Sequence, residues 1–321
     1  MKYISIVVPV YNEQENVSVF YQEVCKHMEA TGYPFELIFV DDGSTDETTF
    51  ILNKLTQQDT RVCAIILARN FGHQVALTCG LDHARGDAVI TMDGDMQHPP
   101  AMLPLLINKW ENGFEVVQTI RKDTQGVSWF KGFTSRMFYR TINAMSDIDM
   151  AEGGSDFRLL DRKVVDTFKN FKEKARFIRG IIGAMGYRRI QIEFVAPQRF
   201  AGKSKFSLKK MLNFALDGIT AYSKLPLRLA FYMGLLSGLL SLLLTVDVIY
   251  TKLFTTEAVP GWATIAASVL LLGGLQLVGL GIIGEYIGRI FEEVKERPLY
   301  WVSDELKSSV EVRTKKQETV A

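Results

Sequence analysis

Two carboxylates one glycine apart, Asp93-Gly-Asp95, follow the short apolar run Asp87–Ile90. At the end of a strand, such a pair offers hard oxygen ligands to a divalent cation that also holds phosphate. A cation of this kind keeps part of its water and is shared with the substrate, so few protein ligands suffice. Two further polar clusters stand in matching places. Pro9-Val-Tyr-Asn-Glu13 closes the run Ile4–Val10, and Asp41-Asp-Gly-Ser-Thr-Asp46 closes Glu36–Val40. In a parallel sheet the three strand ends converge. Tyr11 can then line a base pocket, Asp41 and Asp42 can accept from base N–H or ribose hydroxyls, and Asp95 can hold a metal on a diphosphate.

The elements that must position these groups are legible in the pattern. Ile4–Val10, Glu36–Val40, Val62–Leu67, Ala88–Met92 and Glu115–Thr119 read as strands. Between them Glu15–Glu29, Asp46–Gln57, His73–Ala84 and Pro100–Asn112 carry helical spacing, with Thr45 or Asp46 available to cap the second helix. This alternation predicts an α/β sandwich on a mostly parallel, Rossmann-like sheet, with ligands at the carboxyl ends of its strands. Farther on, Ser128–Met145 reads as an amphipathic helix, Asp149–Phe157 as a glycine-containing loop and Val164–Met185 as helix in two pieces. Arg189–Phe194 is a strand, and Leu208–Ala221 is an amphipathic helix.

The chain has 321 residues, with 37 Lys+Arg against 36 Asp+Glu, so no global field favours nucleic acid. Its three cysteines are scattered without a Cys-x-x-Cys, against a zinc site or disulfide framework and in keeping with a reducing compartment. The run Tyr3–Val10 is too short for a signal peptide. Composition changes near Pro226. Leu229–Val246 and Ala263–Gly284 are uncharged and apolar, each near the roughly 20 residues that cross a bilayer. Lys209, Lys210, Lys224 and Arg228 precede the pair, and Arg289, Lys295 and Arg297 follow it. The positive-inside rule places both outer flanks in the cytoplasm and the link Thr251–Trp262 outside. The expected organisation is a cytoplasmic catalytic domain over 1–205, a membrane-proximal amphipathic helix over 206–228 and a transmembrane hairpin over 229–284. A cytoplasmic amphipathic helix with a frayed polar tail follows over 285–321.

In combination the motifs Ser5-Ile-Val-Val-Pro-Val-Tyr-Asn-Glu13, Val40-Asp-Asp-Gly-Ser44, Asp93-Gly-Asp-Met-Gln-His-Pro-Pro100, Ser155-Asp-Phe-Arg-Leu-Leu160 and Arg199-Phe-Ala-Gly-Lys-Ser-Lys205 resemble the family 2 glycosyltransferases of the GT-A fold. With the hairpin and Gly284-Glu-Tyr-Ile-Gly-Arg289, the resemblance narrows to the polyprenyl-phosphate glycosyltransferases, the dolichol-phosphate mannose synthase and bactoprenol glucosyltransferase group. It implies that Pro9, Tyr11, Glu13, Asp41 and Asp42 face the nucleoside. It also implies that Asp93, Asp95 and Gln97 hold Mg²⁺ or Mn²⁺ with the diphosphate, and that Asp156 is a catalytic carboxylate. A homo-oligomer, a tetramer by the resemblance, in the plasma membrane of a bacterium is implied as well.

The expected reaction is inverting transfer of one hexose or N-acetylhexosamine, glucose first and N-acetylglucosamine next, from a UDP-sugar to undecaprenyl phosphate. An acceptor phosphate at the membrane surface needs cations and hydroxyls at that depth. Arg121 after the fifth strand, Lys131 and Ser135 four apart, and the basic loop with Arg199, Lys203 and Lys205 supply them. A phosphomonoester has its second pKa near ~6, so proton removal at neutral pH is a small requirement, and Asp156 serves either as base or as an orienting group. Two other readings compete. A processive polysaccharide synthase is disfavoured by the lack of a Gln-x-x-Arg-Trp segment and by only two spans. A catalytically silent membrane scaffold is disfavoured by the retained Asp93, Asp95 and Asp156.

Overall fold

Apolar runs interleaved with amphipathic segments build a three-layer α/β/α unit. The structure is a computed structural model that describes residues 2–122, 154–174, 176–195, 225–254 and 261–307. Its sheet contains β1 (Ile4–Val10), β2 (Phe35–Asp41), β3 (Val62–Leu67), β4 (Ala88–Thr91), β5 (Val116–Lys122), β6 (Gly154–Asp161), β7 (Arg189–Val195) and β8 (Val302–Leu306). They lie side by side in the order β7-β5-β6-β4-β1-β2-β3-β8. The β4-β1-β2-β3 block is parallel, as is β5 with β7, while β6 runs antiparallel to both its neighbours and β8 antiparallel to β3.

All seven residues of β1 are buried, as expected for a central strand covered on both faces. Ile4, Ile6 and Val8 join one core with Phe20, Val24 and Met28 of α1 (Val17–Glu29), Leu52 of α2 (Thr48–Gln58) and Leu106 and Trp110 of α4 (Leu103–Glu111). Val7 points the other way, with Ile38 and Val40, onto α3 (His73–His83), α5 (Arg162–Lys169) and α6 (Ile178–Ala184). Gly80 lets α3 lie close to the sheet: a Cβ there would stand 2.1 Å from Val7 Cγ1.

Three differences from the sequence reading matter. The stretch from Gly154 is the strand β6, paired with β4 so that Phe157, Leu159 and Leu160 are buried in the core; Asp156 therefore stands on a strand rather than in a loop. Arg158 is also buried in that strand, a position that hydropathy alone would leave at the surface. The polar stretch near 303 is not frayed along its whole length: Val302–Leu306 pairs with β3 and covers what would otherwise be an open sheet edge.

Among the described residues, 2–195 and 298–307 form one compact unit and 225–297 a second. The second holds α7 (Leu225–Phe254) and α8 (Trp262–Val294), within which Leu225–Thr251 and Leu271–Val294 are long and apolar enough to cross a membrane. Many of their described apolar side chains are exposed, for example Leu235, Leu239, Leu243, Leu277 and Leu280. At about 1.5 Å per residue, α8 is longer than a hydrocarbon core. Its last turns carry the Arg289–Glu285 pair, so the separate helix expected after Gly284 is the end of α8.

Candidate active site

The carboxyl ends of β1, β2 and β4 bring the three predicted clusters together. The loop after β1 is tied to the loop after β2: Asn12 N–H donates to Ser44 Oγ, Thr45 N–H to Asn12 Oδ1, and Glu13 N–H to Thr48 Oγ1. Asn12 itself has a left-handed backbone, φ 52°. Tyr11 and Glu13 are half-buried beside this junction, and the Glu13 carboxylate accepts from Asn16 at the start of α1. Pro9 is buried within β1, opposite Val40.

Asp41 and Asp42 are buried and already hold the protein's own backbone. Asp41 accepts from Ser44 N–H at 2.9 Å and from the Thr49 hydroxyl, which fixes the β2–α2 turn. Asp42 accepts from Phe71 N–H at 2.7 Å and Gly72 N–H at 2.9 Å, so it clamps the loop between β3 and α3. Burial pushes the Asp42 carboxyl up, against the pull of those two amides. Gly43 lets the two loops meet: its φ is +70°, and a Cβ would stand 2.6 Å from the Arg69 carbonyl carbon.

The turn after β4 carries Asp93, Asp95 and Gln97. Gln97 N–H donates to Asp95 Oδ1 at 3.1 Å, and Met96 between them takes a left-handed φ of 63°, an uncommon conformation for a non-glycine residue. Asp93 Oδ1 is a buried atom that makes no hydrogen bond. No group of three or more His, Cys, Asp or Glu side chains with metal-ligand geometry occurs among the described residues. That donor set fits a Mg²⁺-like ion, which takes one or two carboxylates and completes its shell with water and substrate phosphate. It does not fit an all-protein cage.

Because β6 runs antiparallel to β4, its first residues return to the same end of the sheet. Thr91 lies opposite Arg158, and the Thr91 hydroxyl donates to the Asp156 carbonyl. Asp156, 7% exposed, accepts from Arg158 Nη2, from Arg179 Nε at 3.0 Å and Nη2 at 3.1 Å, and from Gln74 Nε2 at 3.3 Å. Burial would raise its pKa, but Arg179, His73 and Arg158 outweigh that and hold the carboxyl well below the usual range. Arg158 is 1% exposed, and burial brings its pKa down to about 10 despite Asp156.

Two histidines join the Asp93 turn to this strand. His98 is buried; its Nδ1 accepts from Asp93 N–H at 2.8 Å and its Nε2 lies 2.7 Å from Ser155 Oγ. An acceptor at Nδ1 makes Nε2 the protonated nitrogen of a neutral ring. Burial lowers its pKa accordingly, and the ring stacks on Phe157 at 5.2 Å. His73, the first residue of α3, is only partly exposed. Its Nε2 is 3.5 Å from both Asp93 Oδ1 and Asp156 Oδ2, and these carboxylates raise its pKa to about 9 against the opposing effect of burial.

The sequence reading passed over His73, Gln74, Arg158 and Arg179. His73 and Gln74 follow β3 as the predicted clusters follow their strands, and that position was the available signal. Arg179 comes from α6, remote in sequence, and has no local signal. On the acceptor side, Arg121 is exposed on β5, one residue after Ile120, which lies opposite Gly154. Lys131, Ser135, Arg199, Lys203 and Lys205 lie outside the described residues, as do the expected helices Ser128–Met145 and Leu208–Ala221.

The glycosyl transferase family 2 model matches residues 5–168, and the GtrB C-terminal hairpin matches 225–290. The chain is 45% identical to the uncharacterized glycosyltransferase YkcC of Bacillus subtilis, covering 93% of this chain and 92% of that one. It is 42% identical to an SfII prophage-derived bactoprenol glucosyl transferase of Shigella flexneri, over 92% of this chain and 96% of that one. A solved mannosyl-3-phosphoglycerate synthase from Rubrobacter xylanophilus is similar over 68% of this chain and 72% of that one, at 15% identity and TM-score 0.48. With the family model spanning just over half of its residues and relatives at 42–45% identity covering more than nine-tenths of both chains, the chain belongs to glycosyl transferase family 2.

Proposed function

We propose that this glycosyltransferase moves a single glucose from UDP-glucose to a polyprenyl phosphate at the cytoplasmic face of a bacterial plasma membrane. The observation that carries the reading is the antiparallel return of β6, which stands Asp156 beside the Asp93 turn, in a chain whose second unit is an apolar hairpin. Relatives named bactoprenol glucosyl transferase at 40–42% identity support glucose and the lipid carrier.

In this reading an acceptor phosphate oxygen attacks the anomeric carbon, the bond from that carbon to the donor's β-phosphate oxygen breaks, and UDP leaves. The configuration inverts from α to β. Asp95 and Asp93 would hold Mg²⁺ or Mn²⁺ on the diphosphate, where the ion supplies charge neutralisation for the leaving group. Tyr11 and Glu13 flank the nucleoside, while Asp41 and Asp42 hold the loops that form its pocket. Asp156 is an orienting group rather than a base. Its carboxylate is already engaged by two guanidiniums, and a phosphomonoester near neutral pH needs little help losing its proton. Arg121, Lys131, Ser135, Arg199, Lys203 and Lys205 receive the lipid phosphate.

The test is to incubate membranes holding the protein with polyprenyl phosphate and a panel of UDP-sugars, and to resolve the lipid products. A glucosyl lipid is expected. An N-acetylglucosaminyl lipid would replace the sugar and keep the reaction, whereas a polymer or no lipid product would overturn the reading.

A further inference from the structure

His98 and His73 both bridge the Asp93 turn and the start of β6, but they are built differently. His98 is committed: both ring nitrogens have partners within 2.8 Å, and it is sealed among Phe157 and Phe194. His73 is not committed in this way. Its Nε2 faces two carboxylate oxygens, both acceptors only, so that nitrogen carries the proton. Each oxygen is 3.5 Å away, beyond the 2.7–3.2 Å of an N–H···O bond. The donor stands midway, at most weakly bonded to either. One of the two, Asp93 Oδ1, is a buried atom that makes no hydrogen bond.

The imidazole is also displayed where a substrate would pass. Its side chain is 42% exposed, against 8% for Asp156 and 7% for His98. The backbone beneath it is fixed, since Asp42 grips the Phe71 and Gly72 amides just before it. A rigid base, an exposed ring and a proton shared between two distant acceptors describe a donor held ready for a third one. A phosphate oxygen arriving between Asp93 and Asp156 meets two carboxylates and needs such a donor to be tolerated there.

We propose that His73 is a substrate-contacting residue, donating its Nε2–H to a phosphate oxygen at the point between Asp93 and Asp156. The inference rests on the transfer reaction proposed above and assigns a residue to its centre. The phosphate is either the donor's, as part of the leaving diphosphate, or the acceptor's.

The test compares wild type with His73→Leu and His73→Gln in the full-length protein. Three quantities are read: turnover with UDP-glucose and polyprenyl phosphate, direct binding of UDP with Mn²⁺, and direct binding of polyprenyl phosphate in detergent. Loss of one bond to a charged group predicts that His73→Leu lowers at least one of the three by about ten- to a hundredfold. Gln retains an N–H donor and recovers part of the loss. A fall in UDP binding assigns the contact to the donor, and a fall in polyprenyl phosphate binding assigns it to the acceptor. A fall in turnover alone places the contact in the transition state. The inference is overturned if all three stay within about twofold of wild type, or if Gln is no better than Leu. If wild type binds both ligands yet transfers no sugar, the proposed reaction fails, and the two binding measurements still decide the role of His73.

Discussion

Asp156→Asn separates the structural work of this carboxylate from its chemical work. The substitution keeps the shape and removes the charge. Arg158 is then left 1% exposed with its one charged partner gone, retaining Ser155 O at 3.1 Å, while its Nε and Nη1 are already without hydrogen bonds. Removing one member of a buried pair costs about 3–5 kcal/mol. Arg179 is 32% exposed and returns to water, so its lost pair adds only about 0–1 kcal/mol. Asp156→Asn should therefore shift the folding equilibrium by about two to four decades, at roughly 1.4 kcal/mol per decade. Turnover should also fall at least about a hundredfold, the scale of a positioned group, with UDP affinity little changed. Urea unfolding of the detergent-solubilised protein, followed by fluorescence and run beside the transfer assay, measures both. Adding Arg158→Met removes the stranded charge and should restore most of the stability, because an apolar pair can replace a buried ion pair at little cost, yet restore no activity. A single variant within about 1 kcal/mol of wild type, or a double variant no more stable than the single one, would refute the burial argument. Intact turnover with weakened donor binding would instead make Asp156 a donor ligand.

Asp95→Asn should abolish transfer while leaving the melting temperature nearly unchanged, since one partly exposed carboxylate contributes little to stability; full activity of the wild type in saturating EDTA would end the metal assignment. His98 stays neutral in the fold below its ordinary pKa of 6.5, so unfolding takes up a proton there, and stability should decline as pH falls below that value. Melts at pH 7.5 and 5.5 should show a larger decline in wild type than in His98→Asn; parallel declines would contradict it. Truncation after Arg297 removes β8, the Tyr300–Asp82 bond and the Trp301–Phe71 ring contact, and should weaken UDP binding through the loop that Asp42 clamps. An unchanged UDP affinity in the truncated protein would break that link. In a cysteine-free background, single cysteines within 255–260 should label from outside and those after 307 only from the cytoplasm, the side proposed above for the unit whose sheet β8 joins; a tail that labels only from outside would reverse the topology.

The sequence by itself determined the parts that depend on nearest neighbours along the chain. Alternating β-branched and amphipathic runs fixed β1 to β5 and the helices between them, because burial on two faces or one leaves its own period. The polar residues that close β1, β2 and β4 were legible for the same reason: a strand's end is where its side chains leave the core. The hairpin followed from uncharged length and flanking charge. Tertiary structure alone decided the pairings across distance. Nothing local shows that β6 turns back beside β4, so Asp156 read as a loop residue and its partner Arg158 was missed. Nothing local makes Arg179, from α6, close on Asp156, or shows that Asp42 spends its oxygens on two backbone amides and Asp41 on an amide and the Thr49 hydroxyl. A polar stretch such as Val302–Leu306 becomes a strand only because β3 offers an open edge. Charges and amides in a sheet's interior are satisfied by whichever partner the topology delivers, and the topology is set by the summed burial of all the strands.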